Sequence, residues 1–96
     1  MLTVILDMKF SSGGFEEFLV MAAAALKETR EINGFISVVA LQDEDDPRNI
    51  TFYEQWRSRE IYDDYLAWRE SQGLLEALNA LSSTPPVWRY FDTLDI

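Results

Sequence analysis

The eight residues Phe35 to Gln42 are apolar on both sides of an extended chain, with Phe35, Val39 and Leu41 on one side and Ile36, Val38 and Ala40 on the other. A strand of that kind leaves neither face suited to water, so it has to be covered twice. Helices of the same chain can cover one face of its sheet; something else must cover the second. A chain of 96 residues has room for one hydrophobic core, which predicts a single domain over 1–96. With 48% hydrophobic, 14% aromatic and 26% charged residues, it is too apolar to stay disordered and too charged for a bilayer.

The remaining elements follow from periodicity and turn chemistry. Leu2 to Lys9 reads as a first strand, closed by the turn residues Ser11-Ser12-Gly13-Gly14. From Phe15 to Glu31, Phe15, Phe18, Leu19, Ala22 and Leu26 recur at helical spacing, and Asn33-Gly34 supplies a stop. Asn49 to Arg57 is a third strand, joined to the second through the acidic turn Asp43 to Arg48. Ser58 is placed to cap a second helix presenting Ile61, Tyr62, Tyr65, Leu66 and Trp68 to the core. Gly73 interrupts it, Leu74 to Leu81 forms a further short helix ended by Ser82 to Pro86, and Val87 to Leu94 is the last strand. The order β-α-β-β-α-β predicts an α+β, ferredoxin-like fold, a four-stranded antiparallel sheet with its helices on one face. The bare second face then predicts a homodimer packed sheet to sheet.

Eight basic residues against seventeen acidic ones give a net charge of -9, which makes nucleic acid and anionic membrane surfaces poor partners. The chain holds neither His nor Cys, so disulfides, thiolate and imidazole chemistry, zinc fingers, haem ligation by His and most transition-metal sites are excluded. Asp7 and Lys9 interrupt the apolar start, which does not resemble a secretory signal, and a cytoplasmic location is the default expectation. The acids Asp43 to Asp46 lack the spacing, Gly and final Glu of a calcium loop and read as a solvated turn.

The stretch Phe52-Tyr53-Glu54-Gln55-Trp56-Arg57-Ser58, then Tyr65-Leu66-Ala67-Trp68-Arg69 with Gly73, and the ending Pro85-Pro86-Val87-Trp88-Arg89-Tyr90-Phe91, resemble the antibiotic biosynthesis monooxygenase family over nearly the whole chain. The resemblance implies a dimeric α+β barrel of two ferredoxin-like protomers, each with a cavity between helices and sheet. It implies activities ranging from cofactor-independent oxygenation of quinols and polyketide phenols to haem degradation. The haem-degrading branch uses a His, an Asn on the first strand and a helical Trp. Here no His exists, and Leu6 and Tyr65 stand at the other two positions, which makes that activity improbable.

Several side chains are candidates for chemistry. Trp56, Tyr62, Trp68 and Trp88, with Tyr65, would form a flat slot for a small aromatic or apolar molecule, or simply pack as core. Glu54 alternates with Ile50, Phe52 and Trp56 on its strand. If that side faces the helices, Glu54 is a general base with a raised pKa, or one half of a buried ion pair with Arg57, Arg69 or Arg89; in the other strand phase it lies at the dimer seam. Arg69 is either a fixed donor for a substrate oxyanion or a cation at a helix C-terminus. The expected function is cofactor-independent monooxygenation of a quinol or polyketide-type phenol, with Tyr65, Arg69 and Glu54 as catalytic groups and no metal, haem or flavin. The alternative is a non-catalytic dimer that binds a small ligand or serves in assembly. The slot itself, lined by Trp56, Tyr65 and Trp68, is expected to admit a bicyclic molecule.

Overall fold

The computed structural model describes all 96 residues. Its elements run β1 (Leu2–Phe10), α1 (Phe15–Thr29), β2 (Phe35–Gln42), β3 (Asn49–Trp56), α2 (Arg59–Ser71), α3 (Leu74–Leu81) and β4 (Ser82–Asp92). The strands pair antiparallel in the order β2-β3-β1-β4, which is the ferredoxin-like α+β arrangement. Central β1 shows why: Leu2, Val4, Leu6, Met8 and Phe10 are all buried on one face, while Asp7 and Lys9 on the other are exposed. Leu6 lies between Phe52 and Trp88 in the ladder, and Val4 between Glu54 and Tyr90. Phe18 of α1, Tyr62 of α2 and Leu78 of α3 pack onto these rows.

Local chemistry sets where the helices begin. Ser58 Oγ accepts the Ile61 N–H at 3.2 Å and caps α2. Gly73, at φ +80°, turns the chain from α2 into α3 in a conformation that favours glycine. Gly14, at the start of α1, is pressed against the end of α3 so closely that a Cβ would lie 2.6 Å from the Leu81 carbonyl oxygen.

Four sequence expectations are corrected. The first helix ends at Thr29 rather than Glu31, and Gly34, at φ +100°, serves the turn into β2 rather than the helix stop. The last strand begins at Ser82 and stops at Asp92. Ser82 and Thr84 pair with Phe10 and Lys9 across an irregularity in register, and the two prolines are tolerated because β4 is an edge strand. In β2 the register shifts between Phe35 and Ser37. That bulge places Phe35, Val38 and Ala40 opposite Trp56, Glu54 and Phe52, and turns Val39 and Leu41 to the other side. Leu19 and Trp68, expected inside, are exposed.

The sheet face away from the helices carries Val39, Leu41, Tyr53, Val87 and Phe91, all exposed. No helix is long and apolar enough to cross a membrane. The acidic turn spends its carboxylates on its own backbone: Asp43 Oδ1 accepts the Asp45 and Asp46 N–H groups at 2.8 and 3.1 Å, and Asp46 pairs with Lys9 at 3.1 Å.

Candidate functional site

Helices and sheet enclose a cavity of about 50 Å3. Phe52, Leu6 and Trp88 line its sheet side, and Tyr62, Tyr65 and Arg69 present themselves from α2 because residues three and four apart share a helix face. Apart from Thr29, Glu54 and Arg69 the lining is apolar or aromatic, so burial would supply affinity there and the few polar groups would supply orientation. The cavity does not admit the expected bicyclic molecule in this conformation, since ligand pockets run to roughly 300–1,000 Å3. Leu74, Leu75 and Leu78 of α3 crowd the space between α1 and α2.

Glu54 faces the helices, which settles its strand phase. It is 5% exposed, with Val4 and Val38 beside it on the neighbouring strands. None of Arg57, Arg69 and Arg89 pairs with it, so the ion-pair expectation is corrected. Its Oε1 instead accepts the Trp56 indole N–H at 3.1 Å. Burial among apolar neighbours pushes the carboxyl pKa up to about 7, and the Trp56 bond opposes the shift. The group is therefore poised to take up or release a proton near neutral pH.

Arg69 is 3% exposed and uses every N–H it has. Nε donates to Tyr65 Oη at 3.0 Å, one terminal nitrogen to the Ala25 carbonyl at 2.8 Å and Thr29 Oγ1 at 3.1 Å, and the other to Gln72 at 3.1 Å and Glu28 at 3.4 Å. Thr29 donates its own proton to the Ala25 carbonyl at 3.0 Å. Thr29 Oγ1 is then an acceptor for Tyr65, 2.8 Å away, and the Tyr65 proton is committed to it. Arg69 lies in the last turn of α2, where the helix-terminal alternative put a cation, and it ties α2 to α1; in this conformation neither it nor the Tyr65 proton is free for a ligand.

Tyr62 is differently placed. Its oxygen accepts the Trp88 indole N–H at 3.1 Å, and no protein acceptor takes its proton. Burial is the main cause pushing its pKa up, and the nearby Glu54 charge adds to it, so the phenol stays protonated as a donor. Glu54 and Trp88 from the sheet and Tyr62, Tyr65 and Arg69 from α2 thus line one cavity. Trp56 and Trp68 do not line it. Trp56 is fully buried, its ring centroid 4.8 Å from Tyr65, 5.2 Å from Tyr62 and 5.4 Å from Phe35. Trp68 is 37% exposed on the outer side of α2, where the Arg69 guanidinium lies 4.5 Å from its ring centre. Thr29 was missed by sequence reasoning, although Ala22, Leu26 and Thr29 fall on one helical stripe.

A family profile described as antibiotic biosynthesis monooxygenase matches residues 1–80. The chain belongs to that family. Solved structures agree on the fold of this family member. A crystal structure of an antibiotic biosynthesis monooxygenase superposes with a TM-score of 0.89 at 21% identity, covering 98% of this chain and 99% of the other. The monooxygenase ActVA-Orf6 of Streptomyces coelicolor, in complex with nanaomycin D, gives 0.79 at 22% identity, covering 99% and 88%. SnoaB, a cofactor-independent oxygenase from Streptomyces nogalater, gives 0.83 at 18% identity, covering 99% and 94%. No curated protein matches the chain.

Proposed function

We propose that this chain is a cofactor-independent monooxygenase of an apolar phenol or quinol, with Glu54 as the base. The observation that carries the reading is a buried, unpaired carboxyl group facing an apolar cavity, on a fold shared with a cofactor-independent oxygenase. Glu54 takes the acidic proton of the substrate, and the Tyr62 hydroxyl donates to the oxygen on which negative charge develops. The substrate anion supplies the electrons with no outside reductant: in an anthrone the activated CH2 and O2 become C=O and H2O, and a naphthohydroquinone and O2 become a hydroxynaphthoquinone and H2O. Having neither His nor Cys, the chain would offer iron or copper no imidazole or thiolate, the usual ligands of a resident redox metal. Tyr65, Arg69 and Thr29 hold the wall, Trp88 and Tyr62 orient the ring, and Trp56 steadies the base. Trp68 has no part in the slot. Admission of a ring requires the leucines of α3 to move outward, and Gly73 marks where that helix begins.

The same reading includes a homodimer formed by the exposed apolar sheet face, and no role in binding nucleic acid. Oxygen uptake with anthrones and naphthohydroquinones, after exhaustive chelation, tests the activity. Turnover should persist, and Glu54→Gln should lower it by about 100-fold or more. Activity lost on chelation and regained with iron overturns the mechanism. Tight binding without uptake points instead to a ligand-binding module.

A further inference from the structure

The hydrogen bonds of Arg69 divide its guanidinium into two edges of different character. Nε and one terminal nitrogen are committed inward, to Tyr65, Thr29 and the Ala25 carbonyl. The other terminal nitrogen faces out, and its partners are side chains of exposed residues: Gln72 at 3.1 Å and Glu28 at 3.4 Å, the latter side chain 58% exposed. An N–H to carboxylate contact of 3.4 Å is long for a charge-assisted bond, whose usual range is about 2.7–2.9 Å. An exposed glutamate held at that distance, with most of its side chain in water, is an exchangeable partner.

The surroundings give that outer edge a use. A surface depression bounded by α1, α2 and α3 lies outside it, lined by Glu28, Gln72, Gly73 and Ala77, among others. Met21, Ala25, Arg69 and Leu74 line both this depression and the inner cavity. The partition between them is one residue thick, and Arg69 is its charged member.

We propose that the outer edge of Arg69 is a carboxylate subsite, and that the ligand of this site is an apolar ring bearing a carboxylate that takes the place of Glu28 while the ring occupies the inner cavity. This rests on the reading of that cavity as a substrate site. The exchange swaps one carboxylate for another on the same nitrogen, so the guanidinium never goes unpaired. A phosphate would bring up to a second negative charge to a chain already at -9 with a single cation to receive it. Glu28 then acts as a placeholder that selects against ligands too weak to displace it.

The test uses two probes with one ring system, 2-naphthol and 6-hydroxy-2-naphthoate, titrated anaerobically by calorimetry so that no turnover is needed. The readout is the ratio of their affinities, which isolates the carboxylate. Glu28→Gln removes the competitor and should shift the ratio toward the hydroxynaphthoate by about two- to fivefold. Gln72→Glu adds a second competitor and should shift it the other way. Both positions are exposed, so the fold is not at risk. An unchanged ratio in both variants overturns the subsite, as does failure of the hydroxynaphthoate to bind at millimolar concentration. Absence of oxygen uptake, by contrast, would bear on the proposed activity and leave this ratio untouched.

Discussion

Trp56 donates its indole N–H to the Glu54 carboxylate at 3.1 Å from two residues further along the same face of β3. That single bond is the only stabilisation the structure gives the charged form of a carboxyl group set among apolar neighbours. Trp56→Phe keeps most of the ring packing and deletes the donor. The Glu54 pKa, already about 7, should move higher still, because the bond that lowers it is gone. Carboxyl carbon shifts followed by NMR across pH 5–9 would report it, and an unchanged or lower midpoint would contradict the assignment.

Glu54 also makes stability depend on pH, with a sign opposite to that of a salt-bridged acid. Its pKa is about 7 in the folded chain against 4.5 for the ordinary group, so the folded state holds the proton over a range in which the unfolded state has released it. The contribution is fully present below pH 4.5, declines as pH rises, and is lost above about 7. The difference is on the order of 3 kcal/mol. Urea unfolding at pH 5 and pH 8 should show this decline, and Glu54→Gln should flatten it, leaving the variant more stable than the parent at pH 8. A parent chain that grows more stable between those pH values would refute the account.

The fold was legible because β1 is a short apolar run closed by the turn residues Ser11 to Gly14 and because Ser58 and Gly73 mark helix boundaries that local chemistry enforces. The face of Glu54 was legible only as a conditional, since a strand read by alternation has two phases until its register is known. The bulge between Phe35 and Ser37 is a pairing event with no local signature, and it reversed the expected company of Val39 and Leu41. Trp68 misled because a tryptophan on an apolar stretch suggests the core, whereas its ring ends outside, beside a guanidinium. The partners of Arg69 come from positions as distant as Ala25 and Gln72, and no sequence spacing shows that all its N–H groups are spent.

The inner edge of Arg69 ties α2 to α1, so its loss should cost stability. Arg69→Met deletes the donor to the Tyr65 hydroxyl and one of the two side-chain donors to Thr29 and to the Ala25 carbonyl, and a loss of roughly 1–3 kcal/mol is expected. Thr29→Val removes the acceptor shared by Tyr65 and Arg69 and should cost about 1–3 kcal/mol. Because both act on one network, the double variant should lose less than the sum. Trp68→Ala, on the exposed side, should cost about 1 kcal/mol or less through the lost cation–ring contact. Denaturant unfolding of the four variants orders these effects. A Trp68→Ala loss larger than that of Arg69→Met would show the wall to be built differently.

The apolar sheet face carries the last prediction. Val39 and Tyr53 sit directly opposite each other in the β2–β3 ladder, and both are exposed on the face the helices leave bare. An isolated protomer would keep Leu41, Val87 and Phe91 in water on the same face, apolar side chains interspersed with polar ones such as Thr51 and Asp7, as at interaction surfaces. A second copy can cover it face to face, because a two-fold axis sets the same patch against itself. Light scattering at micromolar concentration should therefore give twice the 11.1 kDa of the chain. Val39→Lys combined with Tyr53→Lys places four added cations in the buried seam of such a dimer, and burial of unpaired charge should drive it to monomers. The core residues lie on the opposite face, so the far-ultraviolet circular dichroism should remain that of a folded chain. A parent protein that scatters as a monomer, or a double-lysine variant that remains a dimer, would place the contact elsewhere or nowhere.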